Sequence, residues 1–190
     1  MSSVSVVEKM RFLDVEEYLR NEQRTEVRHE LVRGAVYAMV GSSNAHNLIA
    51  GSLYARLRQH LKGSSCGVYM SDMKVRVADD FFYPDVVSCQ PQEPVFYFVT
   101  QPTLIIEVLS PSTEARDRLD KRLAYQGLKS LQEYALVSQD KVSVEIIRRV
   151  ADGWEIERCS HGDALQFQSV NFHLSGGSDL RGCITGLTRV

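Results

Sequence analysis

Apolar residues recur at helical spacing in two stretches of this chain and in strand-like runs through much of the rest. Between Ser43 and Leu61, the residues Leu48, Ile49, Leu53, Leu57 and Leu61 form one face of an amphipathic helix that begins beside Ser42-Ser43-Asn44. From Glu114 to Leu128 a second stripe, Ala115, Leu119, Leu123 and Ala124, opposes a positive side carrying Arg116, Arg118, Lys121, Arg122 and Lys129. Both helices are expected to cover a sheet. A shorter helix over roughly residues 14–20 is opened by Asp14, with Glu17 as its capping partner.

The strands read as follows. HELV and AVYAMV flank Arg33-Gly34, a turn beside the residue that most readily takes positive φ, and Glu30 lies on the first of the two. CGVYMSDMKVRV and FFYPDVVSC are expected to be two antiparallel strands of one hairpin about Asp79-Asp80, with Pro84 at the start or edge of the second. Asp72, Lys74 and Arg76 share a face by period, expected to meet solvent. TLIIEVLS has the nearly continuous apolar character of a central strand, interrupted only by Glu107 and stopped by Pro111-Ser112-Thr113. EYALVS, KVSVEIIRRV and DGWEIERC supply a closing antiparallel portion, and beyond about residue 160 the pattern defines no element. With no repeat, low-complexity tract or linker, one α/β domain over residues 1–190 is expected.

Composition narrows the classes. With 190 residues, 44% of them hydrophobic and 24% charged, the chain is an ordinary globular protein that can bury roughly 70% of its unfolded surface without staples. Cys66, Cys89, Cys159 and Cys183 form no C-x-x-C pair or zinc-spaced cluster, so free thiols in a reducing compartment are expected. No secretion signal or run of about 18 apolar residues occurs, which points to a cytoplasmic protein with no membrane role. The 22 Lys+Arg against 24 Asp+Glu leave a net charge of -2, which argues against a broad basic surface and makes any nucleic-acid site local.

Glu107 carries the chemical argument, because a charge inside an apolar strand is costly unless it is paired or binds a metal. Strand period puts it on one face with Thr103, Ile105 and Leu109, and Asp85 interrupts the apolar strand YPDVV in the same way. Two neighbouring strands could bring these carboxylates together as hard oxygen donors for Mg²⁺ or Mn²⁺, which suits phosphodiester hydrolysis. Structural readings compete at each position. Asp85 could be a turn acid after proline, Glu107 a buried salt bridge with Lys121, Lys121 an i,i+4 partner of Asp117, and Glu30 a surface acid paired with Arg28 or Arg33. His46 and Tyr125 read as packing residues, and Arg116, Arg118 and Arg122 as a solvated face that could track phosphates.

Pro84-Asp85, Glu107 in IIEVLSPST, and Asp117, Lys121 and Tyr125 along DRLDKRLAY together form a pattern, preceded by HELVRGAVYAM and a helix bearing His46. In these features the chain resembles the Uma-two family of restriction-endonuclease-type proteins, a branch of the PD-(D/E)XK nuclease superfamily. The resemblance implies a restriction-endonuclease-like α/β core, a mixed central sheet flanked by helices. It further implies a metal-dependent endonuclease acting on DNA, double-stranded by expectation, and a homodimer suited to two-strand cutting. Asp85, Glu107 and the Val108 carbonyl would hold Mg²⁺ or Mn²⁺, with Glu30 as an accessory acid. The superfamily's lysine two residues after the acid is here Leu109, so its role would pass to Lys121 on the following helix. The alternative is an inactive nucleic-acid-binding or protein-interaction module that keeps the fold.

Overall fold

The computed structural model describes residues 12–89 and 97–175. Helix α1 (Val15–Glu22) starts where the Asp14 carboxylate accepts a hydrogen bond from the Glu17 amide at 2.7 Å. Strands β1 (His29–Val32) and β2 (Ala35–Ala38) form the expected antiparallel hairpin. Arg33 at φ 52° and Gly34 at φ 80° occupy the left-handed pair of conformations that a two-residue hairpin turn favours. Helix α2 (Asn44–His60) is capped by Ser43, whose hydroxyl accepts from the His46 amide at 3.1 Å. Its buried side is His46, Ile49, Ala50, Leu53 and Leu57, whereas Leu48, placed on the apolar stripe by spacing, is 50% exposed. One step along a helix turns the side chain by about 100°, enough to carry Leu48 off the core face.

The segment expected to make one hairpin makes four strands: β3 (Gly67–Met70), β4 (Lys74–Val77), β5 (Asp80–Phe82) and β6 (Val86–Cys89). β4 and β5 pair with each other, but β3 pairs with β6 in a different sheet. The chain therefore crosses between sheets twice, at Ser71-Asp72, with Asp72 at φ 82°, and at Tyr83-Pro84-Asp85. A proline suits the second crossing because no ladder hydrogen bond is required of its nitrogen there. Lys74, expected to face solvent, is only 7% exposed, since its strand is covered, and its Nζ donates to the Tyr83 hydroxyl at 3.3 Å. Asp72 does remain exposed.

β7 (Phe98–Val99) runs parallel to β4, and β8 (Pro102–Leu109) is buried along its whole length. Then follow α3 (Glu114–Arg116), a π-helical turn Asp117–Lys121 and α4 (Arg122–Gln126). β9 (Glu133–Ser138), β10 (Ser143–Val150) and β11 (Gly153–Ser160) come next, and β12 (Leu165–Phe167) pairs with β13 (Phe172–Leu174). The larger sheet has the order β11-β10-β9-β8-β6-β3, mixed because β8 and β9 are parallel, and the smaller has the order β2-β1-β5-β4-β7. This is a mixed α/β fold whose larger, central sheet is flanked by helices.

Alternation along β8 sends Leu104, Ile106 and Val108 toward α2 and the β12–β13 hairpin, and Ile105 and Leu109 toward α4 and the smaller sheet. Glu107 shares parity with the second set. α1 closes the outer side of the smaller sheet by packing Tyr18 against Leu31 and Phe81. Cys66 and Cys159 are free thiols, as expected, while the Cys89 side chain and Cys183 lie outside the described residues. Among the described residues no helix is long and apolar enough to cross a membrane.

The helical stretch after β8 turns a different face inward from the one its apolar residues suggest. Asp117, Lys121 and Tyr125 are buried, while Leu119 is 59% and Leu123 62% exposed, and Ala115 faces outward with them. Only Ala124 of the expected stripe packs on the core. Positions four apart drift by about 40° per step in an α-helix. The wider π-helical turn across 117–121 rotates against that drift, so Asp117, Lys121 and Tyr125 stay on one side. Stability should follow burial: Tyr125→Ala is expected to cost about 3–5 kcal/mol, and Leu123→Glu less than about 0.5 kcal/mol, in urea unfolding. Equal losses in the two variants would contradict this facing.

Candidate active site

The site lies where the two sheets meet. The β6–β8 ladder pairs Val86 with Ile106, and extending it one step sets Asp85 opposite Glu107. Asp85 Oδ2 accepts from the Val108 amide at 2.7 Å, which fastens the sheet crossing to β8, and His46 Nε2 lies 3.2 Å from the same oxygen. Glu107 Oε1 receives Lys121 Nζ at 3.1 Å and the Tyr125 hydroxyl at 3.3 Å. From the smaller sheet, Glu30 Oε1 accepts from the Tyr83 amide at 3.2 Å and meets Lys121 Nζ at 3.1 Å, while Oε2 accepts from Arg116 Nη2 at 2.9 Å. Asp117 Oδ1 is also 3.1 Å from Lys121 Nζ, though without an aligned hydrogen bond. All of these residues except the buried Tyr125 and the ladder pair Val86 and Ile106 line a cleft of about 370 Å³.

Asp85, Glu107, Val108, Glu30 and Lys121 all border this one cleft. The two structural alternatives for Lys121 and Glu107 are present in the same geometry, since the lysine forms both the buried salt bridge and the i,i+4 pair. Glu30 is not a surface acid paired with Arg28 or Arg33; it is buried and pairs with Arg116 and Lys121, while Arg28 bonds Asp72. Arg118 is occupied by Glu114 and Glu145. Arg116 stacks over the Tyr37 ring at 4.6 Å. Its bond to Glu30, like that of the Tyr134 hydroxyl to the Asp117 carbonyl at 2.9 Å, leaves no local trace in the sequence. Leu109 sits in the apolar cluster with Val87, Ile105 and Leu136, and the cation on Glu107 comes from the helix.

Burial by itself would favour the neutral amine of Lys121, but Glu107, Glu30 and Asp117 outweigh it and hold the ammonium above the usual lysine range. Glu107 is pushed well above the ordinary carboxylate range, first by burial; Lys121 opposes the rise, and Asp117, Asp85 and Glu30 add to it. Burial likewise works against a charged His46, yet the hydrogen bond and charge of Asp85, with the Val108 backbone, raise its pKa. Burial, then Glu107, pushes the Tyr125 and Tyr134 phenols well up, so both remain donors at neutral pH. Four carboxylates, Glu30, Asp85, Glu107 and Asp117, meet Lys121, Arg116 and His46. Acidic groups outnumber basic ones in this cleft, four to three.

The donor chemistry fits a hard divalent ion. Mg²⁺ keeps several waters and is commonly held by one or two carboxylates, so Asp85, Glu107 and the Val108 carbonyl suffice in number and kind. Among the described residues no three His, Cys, Asp or Glu side chains stand close enough to cage an ion as they are. Glu107 directs Oε1 to Lys121 and Tyr125.

A restriction-endonuclease-like fold is also what comparison finds. The chain belongs to the Uma2 family, described as "Putative restriction endonuclease", whose model matches residues 15–175. Two proteins of Synechocystis sp. are similar along most of their length. "Uncharacterized protein slr1290" is 39% identical over 163 residues, 83% of this chain and 86% of that protein. "Uncharacterized protein sll1609" is 32% identical over 154 residues, 77% of this chain and 86% of that protein. Among solved structures, a "putative nuclease belonging to DUF820" from Anabaena variabilis superposes with a TM-score of 0.75 at 19% identity, over 90% of this chain and 97% of that one. At that identity the likeness speaks to the fold.

Removing the shared cation should expose the carboxylates. Lys121→Met is expected to cost about 3–5 kcal/mol near neutral pH, because breaking a buried ion cluster leaves uncompensated charge. Glu107 titrates above its unfolded value, so its favourable, protonated folded form is present at low pH and lost as pH rises through the elevated pKa. The stability gap between wild type and Lys121→Met should therefore widen as pH rises through that elevated pKa in denaturant titrations. A gap independent of pH would show that the ammonium does not offset these carboxylates.

Proposed function

We propose that this protein is a metal-dependent endonuclease that hydrolyses phosphodiester bonds of DNA. The observation that carries the reading is the placement of Asp85, one residue before β6, beside Glu107 on the paired β8, with the Lys121 ammonium 3.1 Å from Glu107. When bound, Mg²⁺ or Mn²⁺ supplies positive charge for the phosphate oxygens and acidifies water at neutral pH. Asp85, Glu107 and the Val108 carbonyl hold it. Lys121 replaces the lysine that Leu109 cannot provide, and it orients the attacking water or steadies charge developing on the scissile phosphate. Glu30 keeps both Lys121 and Arg116 in place, and Tyr125 steadies Glu107. Arg116 reaches the cleft wall, where a phosphate could be met. The acting form is a single-domain, cytoplasmic protein that works as a homodimer on duplex DNA.

One observation favours a second reading. Lys121 meets three carboxylates at once, Glu30, Glu107 and Asp117, an arrangement that would also serve purely to hold the fold of an inactive module that binds nucleic acid or protein. Plasmid cleavage with Mn²⁺ or Mg²⁺ separates the two. Asp85→Ala and Glu107→Ala should abolish both cleavage and the rise in melting temperature that metal produces in the wild type. Lys121→Met should lower the cleavage rate by about 100- to 1,000-fold while metal still binds. Absence of cleavage by wild type under all metals, with no metal-induced thermal shift, would leave the inactive module as the reading.

A further inference from the structure

The sequence makes a structural role the expectation for His46, and in the fold its ring meets an acid of the cleft. It is buried, it borders the cleft, and Nε2 points at Asp85 Oδ2 across 3.2 Å. The Val108 backbone acts on the ring as an acceptor as well. Asp85 and the Val108 carbonyl are two of the oxygens assigned to the ion, so the imidazole stands at the same point the ion would approach.

We propose that His46 is itself a metal ligand, giving the site a nitrogen donor beside Asp85. This rests on the metal-dependent reading above. Adjacent donors on an octahedral ion, each about 2.1 Å from it, lie roughly 3 Å apart, so the Nε2–Oδ2 spacing is that of one edge of a coordination shell. Binding moves the ring proton off Nε2 and puts the ion in its place. The backbone that carries the ring is fixed: Ser43 caps α2 by accepting from the His46 amide, and the same hydroxyl donates to Gln139 Oε1 at 2.6 Å, which ties the start of α2 to the loop after β9.

The chemical consequence is metal preference. An imidazole favours Mn²⁺ and, more strongly, Co²⁺ over Mg²⁺, whereas an all-oxygen site does not gain in this way. Titration calorimetry of wild type, His46→Ala and His46→Gln with Mg²⁺, Mn²⁺ and Co²⁺ tests it, together with pulsed EPR of the Mn²⁺-loaded wild type. The expected result is directly bound ¹⁴N in the wild type and at least about a tenfold loss of Co²⁺ affinity in both variants, with a smaller loss for Mg²⁺. Equal losses for all three ions without ¹⁴N coupling would make His46 a positioning residue for Asp85 and overturn the proposal. Unchanged affinities would overturn it too, while leaving the metal-dependent reading intact. If the wild type binds none of the ions, both fall. Should the variants fail to fold, the wild-type EPR spectrum decides alone.

Discussion

Everything in this protein's cleft is arranged around one buried ammonium group. Lys121 stands 3.1 Å from carboxylate oxygens of Glu30, Glu107 and Asp117, which come from the smaller sheet, the larger sheet and the helix between them. None of these charges could stay inside the fold alone, because an unpaired buried ion costs several kcal/mol even after relaxation. The group therefore links three separate elements. The net stabilisation from such a cluster is small compared with the cost of breaking it, so its importance lies in which arrangement it permits. Only one face of the helical stretch can deliver the cation to β8, and that face is the one buried.

The same requirement shapes the surroundings. The π-helical turn keeps Asp117, Lys121 and Tyr125 in line, and Tyr125 packs edge-on against Phe82 and Tyr134 while its hydroxyl serves Glu107. Tyr134 holds the Asp117 carbonyl. Aromatic residues with polar tips do two things at once here: they fill the second apolar cluster and they satisfy the acids at its edge. On the opposite side, the crossing at Tyr83-Pro84-Asp85 joins the two sheets, and it carries one acid while its backbone fixes another through the Tyr83 amide. A site built on strand ends and a sheet crossing is held more rigidly than one built on loops.

Burial, and after it the neighbouring Asp117, Asp85 and Glu30, explains why Glu107 is pushed upward although a lysine touches it. The chain as a whole carries a net charge of -2. Nucleic acid must then be met by few cationic side chains. Arg118 is committed to Glu114 and Glu145, and Arg116, stacked on Tyr37 and bonded to Glu30, is the arginine that borders the cleft.

Much of the fold and part of the site were legible in the residues alone. Caps at Asp14 and Ser43, the Arg33-Gly34 turn and the buried strand around Glu107 are short-range features, decided by neighbours a few positions away. Glu107 announced itself because a charge in an apolar strand needs a partner wherever the strand goes. Periodicity could not say which partner a strand finds, so the stretch from Gly67 to Cys89 read as one hairpin and became strands of two sheets. Nor could it choose a helix face. Leu119 and Leu123 carry the apolar spacing, but the acids on β1 and β8 draw Lys121 inward and leave the leucines outside. Sequence by itself determined the local elements and the residue that must be paired. Tertiary structure alone decided the pairing, because contacts between Glu30, Arg116 and Lys121 span positions far apart in the chain and arise only when the two sheets close on each other.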